Sequence, residues 1–501
     1  KEVFPQTPFK KTAFKRILRV SPFPARSAGK AEVQEALPPA GGSKGAEPPW
    51  RSLSWRYFFC EVVEFMPKVA FCTLGCKVNQ YDSQAMLERL RDDGYESVAF
   101  SDLADVYVVN TCTVTGTGDK KSRQMIRRAH KQNPEAAIVV TGCLAQREAD
   151  KLLLPGVRLV LGTQRRGEIA ELLRRALAAE KPLIAVEKLA GKVPFEKLTV
   201  RGSDGHTRAT LKIQEGCRNF CAYCIIPSVR GPLRSRPLDE IRAEAARLGE
   251  AGYREIVVTG IHLTSYGLDL DEHATLADAL ECIHCAPGVE RIRIGSLEPT
   301  VVTDEFIARL RAMPKICPHF MLALQSGSDT VLQRMGRRYD TAQYMQAVEK
   351  IRSVWPDAAF QTDVMTGFPG ETDAEFEETK AFLARVGYAR IHVFPYSERE
   401  GTRAVTMPGS VPKALREARA AELIALGREM ERAYIARFVG RTEQALFEQP
   451  CEGGAEGYTR EYVRVVAEGA PGALENVTLF ENCGDFARGK IFREENPASI
   501  R

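Results

Sequence analysis

Three cysteines share one short segment, since Cys217, Cys221 and Cys224 all lie within EGCRNFCAYCIIPSVRG, directly after a strand-like run. This spacing lets a single loop wrap a 4Fe–4S cubane and present one thiolate to each of three irons. The fourth iron then needs a ligand that is not a protein side chain. Zinc, which also accepts cysteine thiolates, is the weaker alternative. The segment therefore predicts a metal cluster that is open to a small molecule.

Three other cysteines are dispersed along the chain, and each follows a strand-like run. Cys76, Cys112 and Cys143 are 36 and 31 residues apart, which is about one strand–helix–strand unit each time. In an open parallel sheet the loops after the carboxyl ends of the strands converge on one crevice. The three thiols can therefore meet, as ligands of a second cluster, as ligands of zinc, or as buried structural cysteines. Cys72 lies inside the strand and is predicted to be structural.

The composition fits an intracellular metalloprotein better than a disulfide scaffold. The chain has 501 residues, 44% of them hydrophobic and 27% charged, with an odd number of cysteines, 13. Length and odd count both disfavour a disulfide framework, so we expect metal ligation in a reducing compartment, the cytoplasm. No run of 18 apolar residues exists, which predicts no membrane span. Beyond residue 65 basic and acidic residues balance, so any nucleic-acid surface must gather its positive charge locally.

Residues 1–65 differ from the remainder. They contain clusters such as PPAGGSKGAEPP and no apolar periodicity, and the first methionine, Met66, directly precedes the first clear strand. This composition is typical of a disordered leader or a translated upstream region. A basic transit peptide is the alternative, although acidic residues are present and no cleavage pattern is evident. We expect this segment to be dispensable.

The remaining pattern predicts an α/β protein of three parts. Residues 66–185 alternate four strands with helices, which predicts a parallel-sheet domain. Residues 203–437 contain six strand–helix units, too few for a closed barrel of eight, so a partial TIM-like barrel is expected. In residues 438–501 the runs TEQALFEQ, YTREYVRVVAE and ENVTLFE predict a small all-β barrel.

Taken together, these motifs resemble the methylthiotransferases of the radical-SAM superfamily across roughly 68–500. TLGCKVNQYDS, VNTCTVT and VTGCLAQ match the dispersed cysteine segments, while LQSGSDTVLQRM, TGFPGET and FPYSEREGT match the barrel. GYTREYVRV looks like the signature of the RNA-binding TRAM domain. One departure is Ala323, where serine is more common. The resemblance implies an N-terminal cluster domain, a radical-SAM core and a TRAM-like tail.

The motifs LGCKVNQ and TGIHLTSYG are similar to those of the branch that acts on threonylcarbamoyladenosine, whereas the isopentenyladenosine branch usually has the motif GCQMN. The resemblance then implies transfer of a methylthio group to carbon 2 of that base, at position 37 of tRNA. It implies two 4Fe–4S clusters, S-adenosylmethionine as methyl donor and radical source, a sulfur source, and an electron donor such as flavodoxin or ferredoxin. Isopentenyladenosine, a ribosomal-protein aspartate, and a non-catalytic iron–sulfur RNA-binding role remain alternatives.

Several other side chains are candidates for the site. Tyr223 precedes the last loop cysteine, Gln325 ends a barrel strand, and Asp363 lies in QTDVMTGFPG, whose glycines allow close approach of a ligand. Each is a candidate for binding S-adenosylmethionine, with a packing or structural role as the alternative. His262 is a substrate-side candidate or a satisfied loop histidine. Each cluster of basic residues is more often a solvated face, so only the whole set is evidence for RNA binding. The candidate RNA contacts are Arg230, Arg234, Arg236, Arg337, Arg338, Arg460, Tyr462 and Arg464.

Overall fold

A computed structural model describes residues 66–191, 193–202, 207–271 and 273–493. The expectations for residues 1–65 therefore lie outside the described residues. From Lys68 onward the chain belongs to one compact unit. Among the described helices, none is both long and apolar enough to cross a bilayer.

The N-terminal part is a parallel sheet of six strands. Runs such as VYVVNT and AIVVTG are buried on both faces, which is typical of a parallel sheet covered by helices. The strand order is β2-β1-β3-β4-β5-β6. Strand β2 is therefore added on one side of β1 and strands β3 to β6 on the other, so the strand order reverses between β1 and β3. The short edge strands β2 and β6 were not predicted. The strands are β1 (Lys68–Thr73), β2 (Glu96–Val98), β3 (Val106–Thr111), β4 (Ala137–Gly142), β5 (Val157–Leu161) and β6 (Leu183–Ala185).

Four helices cover this sheet. They are α1 (Lys77–Asp92), α2 (Gly116–Gln132), α3 (Cys143–Glu148) and α4 (Ile169–Ala178), with short 3-10 turns at Ala149–Leu152 and Arg166–Glu168. The Thr115 side chain caps α2 by accepting a hydrogen bond from the amide of Gly118. The sheet and its helices therefore place the N-termini of α1, α2 and α3 just beyond the carboxyl ends of β1, β3 and β4.

The middle part is an open barrel of six parallel strands, which confirms the predicted fold class. Strands β7, β9 and β10 form one sheet and β11, β12 and β13 another, joined by single bridges from Ile292 to Ile316 and from Leu297 to Leu322. The two-residue antiparallel strand β8 was not predicted. The strands are β7 (Arg208–Glu215), β8 (Arg234–Ser235), β9 (Glu255–Gly260), β10 (Arg291–Ile294), β11 (His319–Met321), β12 (Ala359–Thr366) and β13 (Arg390–Pro395).

The barrel strands alternate apolar and polar side chains. Ala209, Leu211 and Ile213 of β7 join the main hydrophobic core, and Arg208, Thr210 and Lys212 alternate with them on the opposite face. The short helix α5 (Ile226–Arg230) follows the loop cysteines and packs beside Cys143. The helices on the apolar side are α6 (Leu238–Glu250), α7 (Leu276–His284), α8 (Asp304–Arg311), α9 (Asp329–Met335), α10 (Thr341–Val354) and α11 (Asp373–Val386), with 3-10 turns at Leu263–Ser265, Pro299–Val301 and Arg403–Thr406. The interior of the barrel is thus polar.

A long helix, α12 (Lys413–Ala436), leads into a closed five-stranded barrel. The run YTREYVRVVAE was predicted as one strand, but it turns sharply at Tyr462, whose φ is 64°. Arg291 and Arg293 of β10 donate hydrogen bonds to backbone carbonyls of this barrel, so it is attached to the middle part. Its strands are β14 (Thr442–Cys451), β15 (Gly454–Thr459), β16 (Arg464–Ala467), β17 (Leu474–Asn482) and β18 (Ala487–Ile491).

Candidate iron–sulfur and substrate site

The dispersed cysteines lie at the carboxyl ends of three neighbouring strands. Cys76 is the N-cap of α1, Cys112 directly follows β3, and Cys143 is the first residue of α3. Because β1, β3 and β4 are adjacent in the sheet, their loops share one edge. That edge includes the point between β1 and β3 where the chain reverses direction, which is where open α/β sheets bind ligands.

Close backbone contacts bring the three loops together. Gly75 has a φ of +99°, and a Cβ placed there would lie 3.0 Å from Cys112 Cβ and 3.1 Å from its Sγ. Gly142 has a φ of +92°, and a Cβ there would lie 2.5 Å from the Thr111 carbonyl. Side chains at these two glycines would push the cysteine loops apart. The sheet and the glycines therefore hold the dispersed cysteines as one group.

The thiols of this group act on one another electrostatically. Burial, together with the neighbouring Cys76 and Cys112, raises the pKa of Cys143 to about 11. The Arg230 guanidinium opposes this by donating from Nε to Cys143 Sγ at 3.2 Å. As thiolates, these three side chains would repel one another. A cluster of iron cations bound by all three would relieve that repulsion, so the group suits a shared iron–sulfur cluster.

The loop cysteines follow β7 closely. Gly216 has a φ of +72°, and a Cβ there would lie 1.9 Å from the Pro232 carbonyl, so glycine is required where the loop begins. The backbone amide of Asn219 donates to Cys217 Sγ at 3.4 Å, and Arg337 donates to Cys221 Sγ at 3.3 Å. Burial raises the pKa of Cys224 to about 12. Hydrogen bonds to sulfur favour the thiolate and so oppose the effect of burial.

Neither cysteine set is as compact as a single-ion site. Within the described ranges, no three His, Cys, Asp or Glu side chains converge closely enough to hold one metal ion. A 4Fe–4S cubane takes each cysteine on a different iron, so its ligands lie farther apart than those of zinc. The donor sets therefore fit clusters better than zinc.

A buried ion network joins the N-terminal sheet to the barrel beside the dispersed cysteines. Arg230, six residues beyond Cys224, donates to Asp82 at 2.9 Å and to Glu215 at 3.1 Å as well as to Cys143. Lys212 contacts the same two carboxylates at 2.5 and 3.1 Å. All four charged side chains are at most 3% exposed. The network fixes the N-terminal sheet on the barrel, with Arg230 bound to Cys143 of the dispersed set and Glu215 two residues before Cys217 of the loop set.

The structure gathers the three further candidates near the carboxyl end of the barrel. Gln325, held at a left-handed φ of 71°, donates its backbone amide to the carbonyl of Asp363 at 2.9 Å. Burial raises the pKa of the Asp363 carboxyl to about 6. Tyr223 packs edge-on against Phe368 of the GFPG segment, with ring centroids 6.4 Å apart. Their roles stay a prediction.

His262 is held by its neighbours. Its Nδ1 lies 2.6 Å from Ser265 Oγ, and its Nε2 lies 3.2 Å from Glu298 and 3.1 Å from Asn219. Arg337, which contacts Cys221, also donates to Glu298 at 2.7 Å. Both ring nitrogens are therefore occupied within the protein, which favours the satisfied loop histidine over a substrate contact.

Most of the arginines proposed to contact RNA are used inside the protein. Arg230, Arg234 and Arg236 are buried. Arg460 donates to the carbonyls of Pro314 and Ile316, at 2.7 and 2.8 Å. These contacts contradict the prediction of an RNA surface at these positions, because sequence shows a cation but not the partner that burial requires. Of the remaining candidates, Arg464 pairs with Glu456 and Asp485, Tyr462 stacks between Tyr458 and His319, Arg337 is largely buried, and Arg338 is exposed.

A cavity of about 690 Å³ lies where the N-terminal sheet, the open barrel and the C-terminal barrel meet. Lys77, the residue after Cys76, lines it together with Arg208, Tyr458 and Tyr462. Lys77 keeps solvent contact, yet the surrounding protein lowers the pKa of its ammonium group to about 8. Sequence reasoning did not single out Lys77, although its place beside a cysteine ligand was a signal.

Comparisons with known proteins agree with this arrangement. Residues 68–162 match the family described as Uncharacterized protein family UPF0004, and residues 211–383 match the Radical SAM superfamily. A solved radical S-adenosylmethionine methyltransferase from Kitasatospora setae shares the fold with a TM-score of 0.51, at 13% identity over 68% of this chain and 74% of that one.

Relatives of known name are similar over most of the chain. The threonylcarbamoyladenosine tRNA methylthiotransferase of Bacillus subtilis is 43% identical over 437 residues, 85% of this chain and 97% of the relative. That of Thermotoga maritima is 37% identical over 80% and 91% of the two chains. The tRNA-2-methylthio-N(6)-dimethylallyladenosine synthase of Moorella thermoacetica is 36% identical over 76% and 87%. The chain therefore belongs to the radical-SAM tRNA methylthiotransferase family.

Proposed function

We propose that this protein is a transferase that adds a methylthio group to carbon 2 of threonylcarbamoyladenosine, at position 37 of tRNA. The observation that carries the proposal is the presence of two three-cysteine sets, the dispersed one hydrogen-bonded to Arg230 of the barrel, in a chain 43% identical to a relative of that name. Threonylcarbamoyladenosine is favoured over dimethylallyladenosine because the Bacillus subtilis relative named for the former is 43% identical, whereas the Moorella thermoacetica relative named for the latter is 36% identical. Modification of a ribosomal protein and a non-catalytic role are not favoured by these relatives.

The six cysteines are the proposed ligands of two 4Fe–4S clusters. Cys76, Cys112 and Cys143 would hold one, and Cys217, Cys221 and Cys224 the other. When bound, the clusters and S-adenosylmethionine supply the radical and methylthio chemistry, and the protein supplies binding, orientation and electrostatics. With three cysteines in each set, one position of each cluster is left for a ligand that the protein does not provide.

The polar residues around the cysteines stabilise their thiolates. Arg230 does this for Cys143 and Arg337 for Cys221, each through a hydrogen bond from a cation to sulfur. The Asn219 amide does the same for Cys217. These donors are fixed by buried carboxylates, Asp82 and Glu215 for Arg230 and Glu298 for Arg337. The donors are therefore in place before a cluster binds, and they cost no rearrangement.

Tyr223, Gln325 and Asp363 are the proposed S-adenosylmethionine contacts. The amino and sulfonium groups of this cofactor are cationic, and a half-buried carboxylate at Asp363 would gain stabilisation from either one. The strained backbone of Gln325 is typical of residues held for a ligand. Tyr223, packed on Phe368, would close one side of the pocket.

The three parts have separate proposed tasks. Residues 66–185 would carry the first cluster, residues 203–437 the second, and residues 438–501 would form the TRAM-like part that helps to hold tRNA. A reductant such as flavodoxin or ferredoxin would supply electrons, and a separate sulfur source would supply the transferred sulfur. Both requirements place the enzyme in the cytoplasm.

Nucleoside mass spectrometry tests the proposal. tRNA from a strain lacking the gene should contain threonylcarbamoyladenosine without its methylthio derivative, and the intact gene should restore the derivative. The protein carrying Cys217→Ala should fail to restore it, whereas the packing variant Cys282→Ala should succeed. Accumulation of dimethylallyladenosine lacking the methylthio group would instead identify the other branch.

A further inference from the structure

The open side of the barrel holds a lysine that has no ion-pair partner among the described residues. Lys77 is the first residue of α1 and lines the 690 Å³ cavity. Arg208 and Thr210 of β7, Val257 of β9 and Glu448 of β14 line the same cavity. Lys77 therefore lies where the N-terminal sheet, the open side of the barrel and the C-terminal barrel meet.

The other charged residues that line the cavity are paired. Arg208 pairs with Glu448 at 2.8 Å, and Glu456 pairs with Arg464. Among the residues that the structure describes, no hydrogen bond or ion pair engages the Lys77 side chain. Within the described lining, Lys77 is therefore the charged residue that has no ion-pair partner.

Local structure gives no reason for lysine at this position. The N-terminus of a helix carries partial positive charge, so a cation in the first turn of α1 is mildly unfavourable. An ammonium group left without a partner beside a cavity gains stability when an anion occupies that cavity. A volume of about 690 Å³ is sufficient for a nucleoside carrying an extended substituent.

We propose that Lys77 binds the carboxylate of the threonylcarbamoyl group and so selects this base over bases with an uncharged substituent. The proposal rests on the proposed function, which supplies the substrate. A threonine joined to adenine through its amino group keeps a free carboxylate and a hydroxyl. The cavity offers further polar groups for the hydroxyl and the carbamoyl oxygen, namely Thr73, Gln80, Thr207 and Thr210. A dimethylallyl group would form no hydrogen bond with any of them, and the buried Thr207 hydroxyl, which has no partner among the described residues, would stay unpaired at a cost in binding.

An RNA phosphate is the other anion that Lys77 could meet, and a pair of substrates separates the two. Anticodon stem-loops would carry either threonylcarbamoyladenosine or the same base with its carboxylate converted to a primary amide. The two RNAs have identical phosphates and differ by one charge at the base. Affinity and kcat/KM for both would be measured with the full-length holoenzyme, Lys77→Gln, Lys77→Arg and Lys181→Gln, with rates divided by cluster content. Lys181 is exposed and lies outside the cavity lining, so its variant controls for loss of one surface charge.

The wild-type enzyme should bind the acid about tenfold to a hundredfold more tightly than the amide, the range of one charge-assisted hydrogen bond. Lys77→Gln should abolish that preference, Lys77→Arg should keep part of it, and Lys181→Gln should keep all of it. An equal loss on both RNAs would assign Lys77 to a phosphate and overturn the proposal, as would full preference in Lys77→Gln. If the wild-type enzyme modifies neither RNA, the proposed function fails, while the affinities still decide the role of Lys77.

Discussion

The two cysteine sets reach similar arrangements by different routes. Cys217, Cys221 and Cys224 belong to one loop, so their separation is limited by a few backbone dihedrals. Cys76, Cys112 and Cys143 come from three loops and meet only because β1, β3 and β4 are neighbours in one sheet. The loop set is therefore a local feature, whereas the dispersed set is a property of the folded sheet.

The two sets also differ in what lies around them. Arg337 and Glu298, both from the barrel, support the loop set. The dispersed set is supported from another part of the chain, because Arg230 belongs to the barrel and Cys143 to the N-terminal sheet. A change at the contact between these parts should therefore disturb the dispersed set first.

Removing either set of thiols should have the largest effect on iron content and on methylthio transfer. With Cys76, Cys112 and Cys143 all changed to Ala, the protein should keep about half of its iron and still cleave S-adenosylmethionine to 5′-deoxyadenosine, since the loop set is intact. With Cys217, Cys221 and Cys224 changed to Ala, it should again keep about half of the iron but lose this cleavage. Neither variant should transfer a methylthio group. Iron analysis and chromatography of the nucleoside products measure these outcomes.

Full product formation by the first triple variant would contradict the two-cluster scheme. Loss of all iron in the second variant would mean that the dispersed set depends on the loop set. Cys282→Ala is the matched control, because Cys282 is buried in the main core and belongs to neither set.

Arg230→Met tests whether the buried ion network stabilises the protein and supports the dispersed cysteine set. The change leaves Asp82 and Glu215 buried with fewer cations, and removing one partner from a buried ion pair typically costs about 3–5 kcal/mol. Chemical denaturation should show that loss in the free energy of unfolding. Iron should be lost mainly from the dispersed set, so cleavage of S-adenosylmethionine per folded molecule should fall less than methylthio transfer.

The matched control for this variant is Arg338→Met, because Arg338 is exposed. It should change the free energy of unfolding by less than about 0.5 kcal/mol. Equal losses in Arg230→Met and Arg338→Met would show that the buried network does not hold the two parts together.

Asp363→Asn should give the smallest effect on stability, and one that depends on pH. Burial raises the pKa of Asp363 to about 6 in the folded protein, above its ordinary value of 3.8, so the folded state binds this proton more tightly than the unfolded state. Stability must then fall as pH rises from about 4 to about 6 and stay lowered above that range. The cofactor-free asparagine variant should lack this fall and be more stable than wild type at pH 7.5, by at most about 3 kcal/mol.

Thermal unfolding of the two proteins between pH 4 and pH 8 measures this difference, with the exposed Asp239→Asn as control. If Asp363 binds S-adenosylmethionine, the same substitution should weaken cofactor binding while it stabilises the protein. A stable variant with unchanged affinity for S-adenosylmethionine would show that Asp363 is a buried residue of the barrel interior and not a cofactor contact.

The sequence alone was sufficient for the fold class and for the main barrel strands. Apolar runs such as AIVVTG mark their own strands, and the spacing of Cys217, Cys221 and Cys224 indicates a cluster without reference to any other part of the chain. Elements of two or three residues, β2, β6 and β8, were missed because they are too short to show a period. The break between the two strands at Tyr462 was missed because a non-glycine residue in the left-handed conformation cannot be recognised from the sequence.

Tertiary structure alone decided which charged residues are buried and which are available. Arg230 and Lys77 are both basic residues beside cysteine motifs, and the sequence does not distinguish them in kind. In the fold, Asp82 and Glu215 pair with Arg230, although they are separated from it by up to 148 residues, whereas no carboxylate of the described part of the chain pairs with Lys77. The reason is physical, since a charge taken out of water must be paired, and which carboxylates can reach it depends on packing between distant segments.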